Sequence, residues 1–231
     1  MIQTYEISVL SDVSSSTSHD RETAERLLDT AERLFGELGY DAVGMRALAS
    51  TAKVNLGAAT YHFGSKKELY IETFLRRFRP TNAERLRLLQ EAQENGKIPS
   101  VEKIVDCMIR PPFMLGLKYP YFHRLMSRTI FTPPPFLHEA LDQECDSGEE
   151  LFVKALCRVL PDIPEDLIRL RMMLGRGSLL THHFEMRKGL PDHNPELDEK
   201  VLTEIIRFVS AGLQSGMATS LPFPKLFEIQ K

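Results

Sequence analysis

Residues 54–67 read VNLGAATYHFGSKK and combine small, hydrogen-bonding and basic side chains in one short run. Gly57 and Ala58 would let a helix backbone come close to another surface, while Asn55 and Thr60 supply hydrogen-bonding groups beside them. A Gly-Ser turn and a pair of lysines follow, at a point where a new helix would begin. These residue types fit one helix that enters a DNA groove about 12 Å wide, and a second helix whose first turn holds phosphate.

Four helices are predicted to position this run. Apolar residues recur at helical spacing over residues 24–38, and Gly39 would end the first helix. A second, short helix is predicted over residues 45–52, and a third over residues 55–61, capped by its first residue. The fourth should begin directly after the Gly-Ser turn, with Ser65 as its cap. Two short helices separated by a brief turn have the proportions of a helix-turn-helix motif.

The rest of the chain is also predicted to be helical. Beyond residue 80 no strand-like alternation appears, and apolar residues keep a helical period. Pro80 is expected to kink or break the fourth helix, and Pro111-Pro112 to interrupt a later one. The expected fold class is therefore all-α, with eight to ten helices: an N-terminal three-helix helix-turn-helix domain and a larger C-terminal helical domain.

The distribution of charge supports a local anion-binding surface. The 231-residue chain has a formal net charge of −3, so it carries no general basic coat. Residues 44–79 nevertheless hold seven Lys/Arg against two Glu, a surplus of five positive charges. Taken alone, a run such as residues 54–67 is more often a packing helix with a solvated cap. The preceding amphipathic helix, the turn spacing and this charge surplus favour a nucleic-acid contact.

Several other classes of function are not expected. No apolar run approaches the roughly 20 residues that span a bilayer, and the N-terminus lacks the features of a secretory signal. Three cysteines, few and odd in number, favour a reducing cytoplasm and predict a cytoplasmic protein with no membrane partner. No nucleophile–base spacing, phosphate-binding glycine loop or Cys-x-x-Cys occurs, so the chain is not expected to be an enzyme or to hold a metal or cofactor.

Residues 31–74, AERLFGELGYDAVGMRALASTAKVNLGAATYHFGSKKELYIETF, resemble the DNA-binding region of TetR-family transcriptional regulators of the AcrR/TetR type. The segment VNLGAATYHFGSKKELY is most similar to the CecR-like branch. The resemblance is strong over residues 20–79, while the C-terminal part matches in length and helix count. It implies a helix-turn-helix domain over 20–65 and a regulatory and dimerisation domain over 66–231. Residues 1–19 are rich in Ser and Thr with few structural signals, and they predict a flexible arm.

The resemblance also implies which residues contact DNA. Arg46 matches a position of the second helix that reaches bases or phosphate. The groove positions of the recognition helix match Asn55, Leu56, Gly57, Ala58 and Thr60. Phosphate contacts match Tyr61, His62 and Lys66. Two positions depart from the family pattern. Gly44 stands where a Ser or Thr cap is frequent, and Lys53 stands where Gly is usual in the turn. A lysine there would strain the backbone if its φ angle is positive, or would add a phosphate contact.

Ligand binding and dimerisation are expected in the C-terminal domain. Helices between residues 101 and 140 are expected to be broken at Pro111-Pro112 and Pro133-Pro134-Pro135, which would leave gaps between helices. Apolar, aromatic and polar residues around these breaks, together with one later methionine, are candidates for a small-molecule site: Arg110, Phe113, Met114, Tyr121, Phe122, His123, Phe131 and Met173. In the family the last two long helices pack against their copies, and the apolar face of the final helix would supply Leu202, Ile206, Val209 and Leu213. The same face could instead be internal core.

The resemblance therefore predicts a homodimeric regulator, most simply a repressor that leaves a palindromic double-stranded DNA operator when a small hydrophobic effector binds. The alternative is a constitutive dimeric DNA-binding or scaffold protein with no small-molecule ligand. An apolar cavity of several hundred Å³ would favour the first, and a filled core the second.

Overall fold

The computed structural model describes residues 18–131, 134–185 and 194–216, and this part of the chain is built from α-helices without a strand. Its nine α-helices are α1 Ser18–Leu38, α2 Met45–Thr51, α3 Leu56–Phe63, α4 Lys66–Ala92, α5 Val101–Lys118, α6 Pro120–Phe131, α7 Leu137–Val159, α8 Glu165–Glu185 and α9 Pro195–Gln214. A short 3-10 turn, Glu94–Gly96, follows α4. The predicted all-α fold class is confirmed.

The chain divides into two compact units, residues 1–73 and 74–231. The division lies inside α4, whereas the boundary drawn from the sequence, between residues 65 and 66, lies at the start of that helix. Residues 1–17 of the predicted flexible arm lie outside the described residues, and residues 18–19 belong to α1.

The N-terminal unit is closed by the apolar face of α1. Leu27 packs in one buried cluster with alanines of α2, of the following turn and of α3, namely Ala49, Ala52 and Ala59. Farther along α1, the Phe35 ring meets the Tyr70 ring edge-on at 4.9 Å. Small residues at the centre let three short helices approach closely, because an alanine adds little bulk between two backbones. This packing fixes the orientation of α3.

The predicted interruption of α5 was wrong, because α5 continues through Pro111-Pro112. Helix α4 also continues through Pro80 without a break. A proline inside a helix removes the hydrogen bond to the carbonyl four residues earlier, so Pro112 leaves the Met108 carbonyl without its usual donor. The Arg85 side chain replaces that donor, with Nε donating to the Met108 oxygen at 3.1 Å. A partner from α4 therefore helps α5 to continue past its proline pair.

The core of the C-terminal unit surrounds α5. Ile104, Val105 and Phe113 are fully buried there, against apolar residues of α7, α8 and α9. The α5–α9 contact also carries a bidentate ion pair, in which Arg110 donates to the Glu199 carboxylate at 2.8 and 2.9 Å. These hydrogen bonds lower the pKa of Glu199 below its ordinary value.

The residues expected at the dimer interface belong instead to this core. Leu202, Ile206, Val209 and Leu213 are all buried within the chain and pack with α5 and α8. Helix α8 comes so close to Val209 that a Cβ placed on Gly175 would lie 2.7 Å from the valine methyl carbon. A side chain larger than hydrogen at position 175 would therefore prevent this close approach of α8 to α9. The approach occurs within one chain, which corrects the choice of dimer-facing side chains.

Among the described residues, no helix is both long enough and apolar enough to cross a bilayer.

Candidate functional site

Helices α2 and α3 are joined by a tight, hydrogen-bonded turn. The Lys53 amide donates to the Ser50 carbonyl at 3.1 Å, and the Val54 amide donates to the Ala49 carbonyl at 2.9 Å. Helix α3 then begins with the predicted N-cap, since the Asn55 side-chain oxygen accepts from the Ala58 amide at 2.6 Å. The helix-turn-helix expected from the spacing is thus present.

One face of α3 is open and the other is packed. Ala59 is fully buried, and Ala58, His62 and Phe63 are half-buried. The opposite face exposes Leu56, Gly57, Thr60 and Tyr61, with Tyr61 82% exposed. Residues at i, i+1, i+4 and i+5 lie on one side of a helix. An exposed side of this kind is what a recognition helix needs to lie in a groove.

Two of the predicted base-reading residues already have local hydrogen bonds. Asn55 uses its side-chain oxygen as the cap, so its amide NH₂ is the group that is left for a base. The Thr60 hydroxyl donates to the Leu56 carbonyl at 3.0 Å, so its oxygen is left to act as an acceptor. Ala58 is half-buried and contributes mainly by being small.

Lys66 is held in place by an aromatic ring. Its ammonium lies 4.1 Å from the centroid of the Tyr40 ring, a cation–π contact that the sequence did not predict. Burial, with Asp41 and Glu68 nearby, raises the pKa of the Tyr40 phenol, so the ring stays uncharged. The ring orders the lysine at the first residue of α4, next to amides that attract anions. In the sequence, the feature that could have indicated this contact is the aromatic residue of the Gly39-Tyr40-Asp41 segment.

The second helix presents Arg46 to solvent. Gly44 is the N-cap of α2 with extended backbone angles, φ −100° and ψ 156°, and makes no side-chain cap hydrogen bond. A Ser or Thr at that position would add a capping bond typically worth about 1 kcal/mol. The first departure from the family pattern therefore leaves one end of a short helix uncapped.

The second departure places a lysine in a left-handed backbone conformation. Lys53 has φ 56°, a conformation that costs a residue with a Cβ about 1–2 kcal/mol. Its side chain is exposed.

Comparison with known proteins places this geometry in a family. Residues 27–73 match the model of bacterial regulatory proteins of the tetR family, and residues 106–212 match the tetracyclin repressor-like C-terminal domain. The chain belongs to the TetR family. Members of this family are DNA-binding transcriptional regulators rather than enzymes, as the sequence predicted. The narrower assignment to the CecR-like branch stays a prediction.

Individual TetR-family relatives agree with this placement. The HTH-type transcriptional repressor KstR of Mycolicibacterium smegmatis is 34% identical over 77 residues, which are 33% of this chain and 38% of KstR. A TetR-family regulator from Marinobacter aquaeolei has a TM-score of 0.62 at 14% identity, covering 83% of this chain and 96% of that chain. The fatty acid degradation regulator FadR from Bacillus halodurans has a TM-score of 0.58 at 15% identity, covering 86% and 97%. The two structural likenesses show the shared fold.

The C-terminal unit of this TetR-family protein contains a cavity of about 170 Å³. Helices α4 to α8 all contribute to its mainly apolar lining, which includes Phe78, Met108, Ile109, Pro112, Leu115, Phe122, Met126 and Leu179. The charged groups in the lining have partners. Arg85 donates to the Asn82 side chain at 3.1 Å as well as to the Met108 carbonyl, and Arg176 pairs with Glu149.

The predicted ligand residues are only partly brought together. Of the eight, Phe122 lines this cavity, and Arg110 and Met114 line a second, more open groove of about 480 Å³. Phe113 and His123 are buried elsewhere, while Tyr121 and Met173 are exposed. The side chain of Phe131 lies outside the described residues. Arg110, expected to anchor a ligand, is paired with Glu199 and Asp106.

A second apolar stripe runs along the outer side of α9. Leu197 and Phe208 are 40% and 71% exposed, and Val201 and Ile205 between them are half-buried. Val201, Ile205 and Phe208, together with Ser178 of α8, line a shallow open groove. Helix α9 thus carries one apolar face in the core and another that the chain leaves partly uncovered.

Proposed function

We propose that this protein is a ligand-responsive repressor that binds a palindromic operator as a homodimer in the cytoplasm and releases it when a small hydrophobic effector enters the C-terminal unit. The observation that carries the proposal is the apolar cavity lined by α4 to α8, because the DNA-binding role of the family needs no such space. The supporting features are the open face of α3 and the outer apolar stripe of α9.

DNA recognition would use both short helices. The exposed face of α3 supplies Leu56, Gly57, Thr60 and Tyr61 to the groove. The stretch between Asp41 and Glu68 contains no acidic residue, so the surroundings of the motif favour a polyanion. Phosphate contacts fix the register of such a helix, and base-edge contacts select the sequence.

Lys66→Ala is expected to weaken binding to operator and to unrelated DNA alike. Loss of one phosphate contact should reduce the magnitude of the salt slope, d log K/d log[salt], by about one per DNA-bound subunit. Loss of the cation–π contact with Tyr40 should lower the free energy of unfolding by only about 0.5–1 kcal/mol. Fluorescence anisotropy over a salt series measures the slope. An unchanged salt slope would show that Lys66 contacts Tyr40 but does not contact a DNA phosphate.

The cavity indicates the chemical class of the effector. A dry apolar cavity of about 150 Å³ in another protein binds benzene, so about 170 Å³ suits a compact ring-sized or branched apolar molecule. Arg85, Arg176 and Glu149 already have partners in the lining, and a ligand carboxylate beside Glu149 would lose hydration while meeting a like charge. The expected effector is therefore uncharged.

Effector binding must act differently on two states of the protein. Each tenfold loss of operator affinity requires about 1.4 kcal/mol of preference for the state that does not bind DNA. A molecule that binds both states equally would raise the melting temperature without releasing the operator.

Uncharged ring-sized compounds are expected to raise the melting temperature and to release operator DNA selected from random duplexes. Leu115→Phe, which adds volume to the cavity lining, should reduce both effects. Leu174→Phe, on an exposed position of α8, should leave both unchanged. Thermal-shift and anisotropy titrations measure the two effects.

The constitutive alternative makes the opposite prediction for that experiment. It is favoured by the size of the cavity, which is below the 300–1,000 Å³ of typical small-molecule sites. Compounds that bind in the cavity and leave operator affinity unchanged would establish it.

A homodimer would form through the outer stripe of α9. A two-fold interface pairs the same patch on both subunits, and a stripe of apolar residues along one helix satisfies that condition. Two recognition helices related by a two-fold axis read the two halves of a palindrome. Operator symmetry and the α9 interface are thus linked parts of one proposal.

A further inference from the structure

Lys53 has a strained backbone conformation, and no contact of its side chain within the described residues offsets that strain. Its φ of 56° lies in the left-handed region that favours glycine, and its amide donates to the Ser50 carbonyl, which keeps the turn in that shape. Its side chain is exposed. Within the residues that the structure describes, the ammonium makes no hydrogen bond, ion pair or aromatic contact.

A glycine would form the same turn without the penalty of a Cβ. Strain that no local contact offsets points to a role outside the folded chain itself. The position of Lys53 suggests what that role is. The residue lies in the turn between α2 and α3, two positions before the Asn55 cap of the recognition helix, in a stretch without acidic residues.

We propose that Lys53 binds a phosphate of the DNA backbone, a contact that a glycine in this turn cannot make. The ammonium is a compact, mobile charge on a four-carbon stem, which suits a phosphate oxygen better than a base edge. The contact adds affinity for DNA of any sequence and does not choose among operators. This inference rests on the DNA-binding role proposed above.

Three substitutions separate the charge from the strain. Lys53→Ala removes the charge and keeps the Cβ, Lys53→Gly removes both, and Lys53→Arg keeps both. Binding to a short duplex of arbitrary sequence is measured by anisotropy over a salt series, and thermal stability by calorimetry. Lys97→Ala is the control, because Lys97 is an exposed lysine of the C-terminal unit and its loss changes the net charge equally.

The Lys53→Ala and Lys53→Gly variants are both expected to bind duplex DNA roughly 5- to 10-fold more weakly per contact near 0.1 M salt. Both should also reduce the magnitude of the salt slope by about one per bound subunit. The Lys53→Arg variant should retain the wild-type salt slope. The melting temperature of Lys53→Gly should be about 2–4 °C above that of Lys53→Ala, because only the glycine variant relieves the backbone strain. Lys97→Ala should leave the slope unchanged.

Two failures are distinguishable. If wild type binds duplex DNA and Lys53→Ala binds with the same affinity and slope, the Lys53 contact is overturned while the DNA-binding role stands. If wild type shows no salt-dependent binding to any duplex, the DNA-binding role itself is overturned. A loss that appears equally in Lys97→Ala would reduce the effect to net charge and also overturn the specific contact.

Discussion

Phe208→Asp is expected to convert the proposed homodimer into a folded monomer and to weaken operator binding by about 10²–10⁴-fold. The Phe208 side chain is 71% exposed in the single chain, so a carboxylate there costs the monomer fold little. In a two-fold interface the same substitution would place two unpaired charges at a desolvated surface. A monomer also loses the effective concentration that joins two half-site contacts.

Light scattering measures the assembly state, and circular dichroism checks that the helices remain. Thr203→Asp introduces the same charge on the same helix at an exposed position off the outer stripe, and it should leave the dimer intact. A Phe208→Asp protein that remains a dimer at low concentration would place the interface on another surface.

Ile206→Asp is expected to unfold the C-terminal unit. Ile206 is only 8% exposed and packs in the cluster around α5, where a carboxylate would have neither water nor a partner. The cost should be at least about 4 kcal/mol, a large part of the 5–15 kcal/mol that stabilises a typical domain. Ile206→Val is the matched variant, and it should cost only about 0.5–1.5 kcal/mol.

Urea denaturation followed by circular dichroism measures both variants. A folded, monomeric Ile206→Asp protein with a nearly normal transition would show that this side chain faces a partner subunit and not the core. The pair Phe208→Asp and Ile206→Asp thus separates loss of assembly from loss of fold on two faces of one helix.

The N-terminal unit was largely predictable because its signals are local. Asn55 caps α3, and the apolar stripe of α1 meets small residues such as Ala59 in the core. Each of these features depends on residues close in sequence or on a helical period. The contact between Lys66 and Tyr40 was missed because it joins residues 26 positions apart, and no period predicts such a pairing.

The faces of α9 could not be assigned from the sequence. Both of its stripes are apolar, so periodicity identifies two candidate faces and does not say which one α5 and α8 will cover. Gly175 carried the decisive information, because it lets α8 approach Val209 closely. Its meaning became clear only once the two helices were placed together.

The cavity was also beyond prediction from the sequence. A cavity is the space left where side chains of several helices fail to fill a common volume, and this one involves five helices. The expectation relied partly on a break at Pro111-Pro112 that does not occur, although Pro112 does line the space. The pattern of aromatic residues near prolines correctly predicted Phe122 as a lining residue of the cavity, but it did not predict aliphatic lining residues such as Leu179.

The hydrogen bond from Arg85 to the Met108 carbonyl makes the order of mutations matter. While Pro112 is present, losing Arg85 would leave a carbonyl beside the cavity without its donor. If Pro112 were first replaced by alanine, the helix would supply its own amide and Arg85 could change at lower cost. Positions 85 and 112 are therefore expected to be epistatic, so a lineage that exchanges the arginine first meets a fitness valley that the reverse order avoids.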